Sequence, residues 1–183
     1  MMGCSRGLMN HVSEISTLIL DVREGRCHNS SDVFFNRRDS LERALYFLCQ
    51  VAPAHENNPD LLNIAETKRL CALIYFYTAI DHATPSSATI VNLTAQVIGL
   101  LKILPAKSTL LFPLFIVGTL GVCMEEDRRL VLEIFAGLIR ARPLASIIRA
   151  QSVVKAVWVD RDLGKGDKWE ELIEGRGGLL SLA

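Results

Sequence analysis

The side chains that could carry chemistry are few and stand far apart. The four histidines, His11, His28, His55 and His82, fall in four different segments, so no H-E-x-x-H or comparable pair could face one metal ion. The five cysteines, Cys4, Cys27, Cys49, Cys71 and Cys123, form no C-x-x-C pair, and the residues around them do not repeat. They are expected to be reduced thiols that pack as small core residues in a cytosolic or nuclear protein. Cys27-His28 is an adjacent pair, poor geometry for zinc without two further ligands at short spacing, and belongs to a polar stretch from Arg26 to Asp32 that reads as a surface loop. Gly164-Lys-Gly-Asp-Lys168 superficially suggests a phosphate loop but lacks the G-x-x-x-x-G-K-[ST] spacing, and a surface turn is expected. There is no G-x-S-x-G elbow. Arg37-Arg38 and Arg140-Ala-Arg142 are too small for a nucleic-acid footprint. Tyr75, Phe76 and Tyr77 could line a cavity, but aromatics at helical spacing read first as core. The expectation is therefore no catalytic, cofactor-binding or metal-ligating set, no cofactor and no enzyme.

The elements that would position such groups can be read more fully. The chain has 183 residues, half of them hydrophobic, enough for one domain with a substantial core. Twenty basic and twenty acidic residues leave no net field to draw it to nucleic acid or an anionic membrane. Residues 1–10 hold no continuous apolar run of the kind a secretory signal needs, so secretion is not expected. Seventeen uncharged residues separate Lys107 from Glu125, at the lower limit of the roughly 17–25 that cross a bilayer. The run contains Pro113 and no basic cluster flanks it, so it reads as a buried core helix rather than a membrane segment.

Periodicity and end signals predict a helix over His11–Glu24 ended by Gly25, and a short one opened by the capping box Asp39-Ser-Leu-Glu42 and stopped by Pro53. Asn58-Pro59-Asp60 then starts a long helix to about His82 whose second half is apolar nearly all round, marking it as central. Thr84-Pro-Ser-Ser87 is a break, with a serine cap for a helix over Ile90, Val91, Leu93, Val97, Ile98 and Leu101 that ends before Leu104-Pro105. The next helix runs from Leu110 to about Val122, with Pro113 in its first turn and Gly118 and Gly121 leaving a smooth face for close packing. Glu125-Glu-Asp127 opens another, in which Arg128 and Arg129 are within intrahelical reach of Glu125. Beyond Pro143 the pattern turns Leu144, Ile147, Ile148, Val154, Val157 and Trp158 inward and Arg149, Lys155, Arg161 and Asp162 outward. Asp167-Lys-Trp-Glu170 is a capping box for a last short helix through Trp169, Leu172 and Ile173. No alternating β-branched run appears, so the fold class is all-α: seven or eight antiparallel-packed helices in an irregular array within a single domain, 1–183.

Several ordered features from about residue 60 to 183 resemble the C-terminal part of the fungal-specific transcription factor domain, the helical regulatory region that follows the zinc binuclear cluster in many fungal regulators. They are Leu70-Cys-Ala-Leu-Ile-Tyr-Phe-Tyr with the following Thr84-Pro-Ser-Ser; Leu104-Pro105 before Phe112-Pro-Leu-Phe-Ile-Val-Gly118; Asp127-Arg128 at a helix start; Val157-Trp158 followed by Arg161-Asp162; and Trp169-Glu-Glu-Leu-Ile before a Gly-Leu-Leu end. Phe112 stands where the family usually has tryptophan.

The resemblance implies the regulatory, non-DNA-binding portion of a fungal transcription factor, acting in the nucleus by protein contacts or effector sensing, with the transcription machinery or a homologous subunit as partner. A cytoplasmic location is the alternative for a fragment without a targeting signal. The six close cysteines of a zinc cluster are missing from these 183 residues, so direct nucleic-acid binding is not implied. The chain has about half the usual length of such a domain, and a truncated form is expected. The competing reading is a free-standing helical protein-protein interaction module unrelated to transcription.

Overall fold

In a computed structural model that describes residues 6–49 and 59–165, seven α-helices and no strand are present among the described residues. They are α1 Arg6–Arg23, α2 Asp32–Tyr46, α3 Pro59–Ala79, α4 Ala88–Ile103, α5 Leu111–Ile116, α6 Glu125–Ala141 and α7 Ala145–Asp162. The all-α expectation is met. The expected cap at Asn58 and last helix from Asp167 lie outside the described residues.

Helix α3 is the central element, touching α1, α2, α4 and α5. Its second half explains why: Leu70, Cys71, Ala72, Leu73, Ile74 and Phe76 are all buried, covering the whole circumference of the helix. Burying a leucine- or phenylalanine-sized side chain is worth about 1.5–3 kcal/mol, so this stretch is a principal source of the fold's stability. The helix stops at Ala79, a few residues before the expected His82. His82 takes a left-handed φ of 52°, a conformation tolerated at a helix end and rare inside one.

Neighbouring helices are fixed antiparallel by cross-links at matching ends. Asp21 near the end of α1 accepts from Arg37 near the start of α2 at 2.7 Å. Arg38 of α2 donates to Asp81 beyond α3 and lies 5.4 Å from the Phe76 ring, while Tyr77 donates to Glu42 at 2.6 Å. Arg69 of α3 caps the end of α2 by donating to the carbonyls of Leu45 and Tyr46. Both members of the Arg37-Arg38 pair are thus bound to carboxylates.

The start of α2 corrects one expectation. Ser31, extended, accepts from the Phe34 amide at 3.2 Å, and the helix begins at Asp32. Asp39-Ser-Leu-Glu42 lies in mid-helix, where Asp39 and Glu42 bind Arg38. The earlier cap prevails because burial of Phe34 anchors a first turn that the later box would have left out. Cys27, expected in a surface loop, is buried, with Sγ 3.7 Å from Ser31 Oγ. Ile148, expected inward, is exposed, as are Leu62 and Val91.

The apolar stretch from Leu110 is divided more finely than a single helix. A 3-10 turn, Ser108–Leu110, leads into α5, and Val117–Gly121 widens into a π-helix in which the Val122 amide bonds the Val117 carbonyl at 2.8 Å. Every residue from Leu110 to Val122 except Phe112 is buried. Among the described residues no helix is long and apolar enough to cross a membrane. The two glycines let neighbours approach on two sides: a Cβ on Gly118 would stand 2.9 Å from Val154 of α7, and one on Gly121 would stand 2.4 Å from Thr94 Oγ1 of α4.

Two substitutions test this packing by thermal unfolding. Gly121→Ala is expected to destabilise by about 1–3 kcal/mol, because overpacking outweighs the gain in helix propensity. Thr94→Val, which removes a buried hydroxyl without a hydrogen-bond partner, is expected to be neutral or stabilising by about 1 kcal/mol.

Candidate functional site

A helix end leaves its last carbonyls without intrahelical partners, and where that end is buried other donors must reach them. The π-turn after α5 is such an end. Thr119 Oγ1 turns back onto its own helix, donating to the Phe115 carbonyl at 2.7 Å. The carbonyls of Gly118, Thr119 and Val122 are reached from α7: Trp158 Nε1 donates to Gly118 O at 2.7 Å, and the Arg161 guanidinium donates to Thr119 O and Val122 O at 2.8 Å each. A cation at the negative end of a helix is also favoured by the macrodipole.

A second layer holds the indole. Arg128 of α6 lies 5.3 Å from the Trp158 ring centroid and pairs bidentately with Asp162, both contacts at 2.7 Å. This hydrogen-bonded pairing raises the Arg128 pKa and lowers that of the Asp162 carboxyl. One arginine therefore touches the face of the tryptophan and the carboxylate one turn beyond it, fastening the start of α6 to the end of α7.

Sequence reasoning placed these residues incompletely. Arg128 was expected to pair with Glu125 inside its helix; it crosses to Asp162 instead, and Arg129 is the residue beside Glu125, at 3.4 Å. Arg161 and Asp162 were expected to face water; Asp162 does, while pairing with Arg128, and Arg161 is half-buried and reaches the carbonyls of Thr119 and Val122. The signal was present: Trp158 heads the buried stripe, and residues three and four positions later lie on the same helical face. Some landmarks of the resemblance meet here; those from Trp169 onward lie outside the described residues. Gly118, Arg128, Trp158, Arg161 and Asp162 form one network, and Cys71 is joined to it through α5, its Sγ donating to Pro113 O at 3.7 Å. Burial raises the Cys71 thiol pKa, keeping it protonated.

The groups with catalytic capability do not assemble comparably. His28 contacts Ser30 at 2.7 Å, and Cys49 and Cys123 are exposed. His11, 3.2 Å from Glu14, lines a cleft of about 530 Å³ between α1 and α2 with Asn36, Arg37, Ser40, Leu41 and Ala44. Tyr75, Phe76 and Tyr77 are not part of that cleft. Tyr75 lies against Ser16, Phe76 is core, and Tyr77 is held protonated by burial and by Glu42. Among the described residues no three His, Cys, Asp or Glu side chains converge on a metal position. His55 and Cys4 lie outside the described residues.

The clamp predicts a graded mutational response. Trp158→Phe keeps a ring for Arg128 but orphans the Gly118 carbonyl, and is expected to cost about 1–3 kcal/mol in denaturant unfolding. Trp158→Ala also opens a cavity and should cost more, about 3–5 kcal/mol. The Asp162 carboxyl titrates lower in the folded chain than in the unfolded one, so its contribution is present above the unfolded pKa of about 3.9 and is lost as pH falls through the folded value. Asp162→Asn should therefore lower stability at neutral pH while making the acid limb of the stability curve shallower.

Searches of curated proteins and of solved structures return no match to the chain. A family profile described as the fungal specific transcription factor domain matches residues 1–183. The match includes α1 and α2, which carried none of the resembling motifs, and family membership supports a role in regulating transcription. With the whole sequence matched, the chain belongs to the fungal specific transcription factor domain family.

Proposed function

We propose that this chain is the regulatory, non-DNA-binding portion of a fungal transcription factor, a truncated form of such a domain that works in the nucleus through protein contacts. The observation that carries the reading is the family match over residues 1–183. The absence from this sequence of a six-cysteine cluster accords with a role apart from DNA contact, as does its zero formal net charge. Protein contact is favoured over effector sensing because the α1–α2 cleft is bordered by exposed and half-buried side chains with Leu41 alone buried, whereas large apolar residues stand exposed on several helices, Phe35, Tyr46 and Val159 among them.

The test is to tether the chain to a heterologous DNA-binding domain in a fungal host and measure a reporter. Output is expected to change at least about tenfold on tethering, the scale of a clear regulatory coupling, and to return to the untethered level in the Trp158→Ala chain. An unchanged reporter, with the fusion present in the nucleus at normal abundance, would instead favour the free-standing interaction module.

A further inference from the structure

Ser40 is the one serine or threonine in the sequence with arginines both two and three positions before it, in Arg37-Arg-Asp-Ser-Leu41. Two guanidinium groups ahead of a hydroxyl, with an apolar residue behind it, are what an arginine-directed protein kinase reads. Carboxylates in its substrate groove pair with the arginines, and an apolar subsite takes the following side chain. In the fold the hydroxyl is within reach, but the groups that would identify it are engaged. Ser40 is exposed along the α1–α2 cleft. Arg37 is held by Asp21 at 2.7 Å, and Arg38 by Asp81 at 3.0 Å and Glu42 at 2.6 Å, with the Phe76 ring beneath it. Leu41 is buried in the core. The chain thus offers its own carboxylates to the arginines that a kinase must take.

We propose that Ser40 is a phosphate acceptor for an arginine-directed serine kinase, and that the ion pairs of α2 set how fast the kinase reads it. In the transfer Ser40 Oγ attacks the γ-phosphorus of ATP. The Oγ–P bond forms as the bond from that phosphorus to the oxygen bridging the β-phosphate breaks; ADP leaves with the electron pair, and the hydroxyl proton passes to a carboxylate of the kinase. Kinases take such segments extended, so the middle of α2 must open locally, and each arginine released from its partner lowers the cost of that opening. Once the helix re-forms, the phosphate, with a charge of about −1.5 to −2, lies among cations. Residues three positions away on a helix are neighbours, which puts Arg37 and the exposed Arg43 to either side of Ser40, and His11 lines the same cleft from α1. Glu14, also lining the cleft, opposes it. Arg37 is then shared between Asp21 and the phosphate, so the modification loosens the link between the end of α1 and the start of α2. This site is independent of whether the chain regulates transcription.

The test is to incubate the folded full chain with ATP and the catalytic subunit of cyclic-AMP-dependent protein kinase, an enzyme of this specificity, and to follow intact mass and phosphopeptides. One phosphate should be added, at Ser40, and the Ser40→Ala chain should gain none under the same conditions. Asp21→Asn frees Arg37 and Asp81→Asn frees Arg38 from its partner beyond α3. Each should raise the initial rate about two- to fivefold, the factor that one surface ion pair is worth. Gly121→Ala, which disturbs packing between α4 and the π-turn, should leave the rate unchanged. The proposal is overturned if neither the parent nor either aspartate variant gains phosphate at Ser40. It is also overturned if phosphate goes instead to Ser152, which has an arginine only at the third position before it, or if Gly121→Ala raises the rate as much as Asp21→Asn and Asp81→Asn do.

Discussion

The apolar stretch from Leu110 to Val122 is buried almost throughout, so its closing carbonyls cannot turn to water. That single requirement organises the second half of the chain. It demands donors at a fixed depth, and α7 delivers them as an indole and a guanidinium one turn apart. The position of α7 in turn sets where α6 can lie, because Arg128 must reach both the Trp158 face and the Asp162 carboxylate. The energetic weight lies in the asymmetry of hydrogen bonding: each bond adds about 1 kcal/mol net, while an orphaned buried carbonyl costs more than its bond was worth. The clamp therefore acts mainly by excluding other arrangements of α5, α6 and α7.

The first half of the chain is held by different means. Ion pairs at the edges of α1, α2 and α3 link helix ends through Asp21, Arg38 and Arg69, over a core supplied mostly by α3. Exposed ion pairs are worth little individually, so these contacts chiefly fix the register of helices whose association is driven by Phe34, Leu41, Leu45 and Phe76. Arg38, with several acceptors and a ring beneath it, is the best supported of them.

Much of this was legible in the sequence, for reasons that also explain what was not. Helix existence follows from periodicity and from proline and glycine punctuation, and α3, α4, α6 and α7 lie close to where those signals put them. The start of α2 was misplaced because two cap patterns compete there, and burial of Phe34 chooses between them. The π-turn was hidden because an added residue per turn leaves no compositional mark; it holds Gly118 and Gly121, at which α7 and α4 approach closely. At the clamp, Trp158 was recognised as core and Asp162 as exposed, but charge alone suggested that Arg161 also belonged in water. An ionic side chain is drawn inward when a buried backbone needs it, a tertiary demand that a helical wheel does not display.

Cys71 gives this architecture a clock. Its thiol sits in the plane where α3 meets α5, wholly shielded, with the Pro113 carbonyl as its acceptor. A reagent in solution meets Cys49 and Cys123 on the folded surface, but it meets Cys71 only in the moments when these two helices separate. The labelling of Cys71, followed at its own peptide and so kept apart from that of buried Cys27, thus measures how often the centre of the domain breathes.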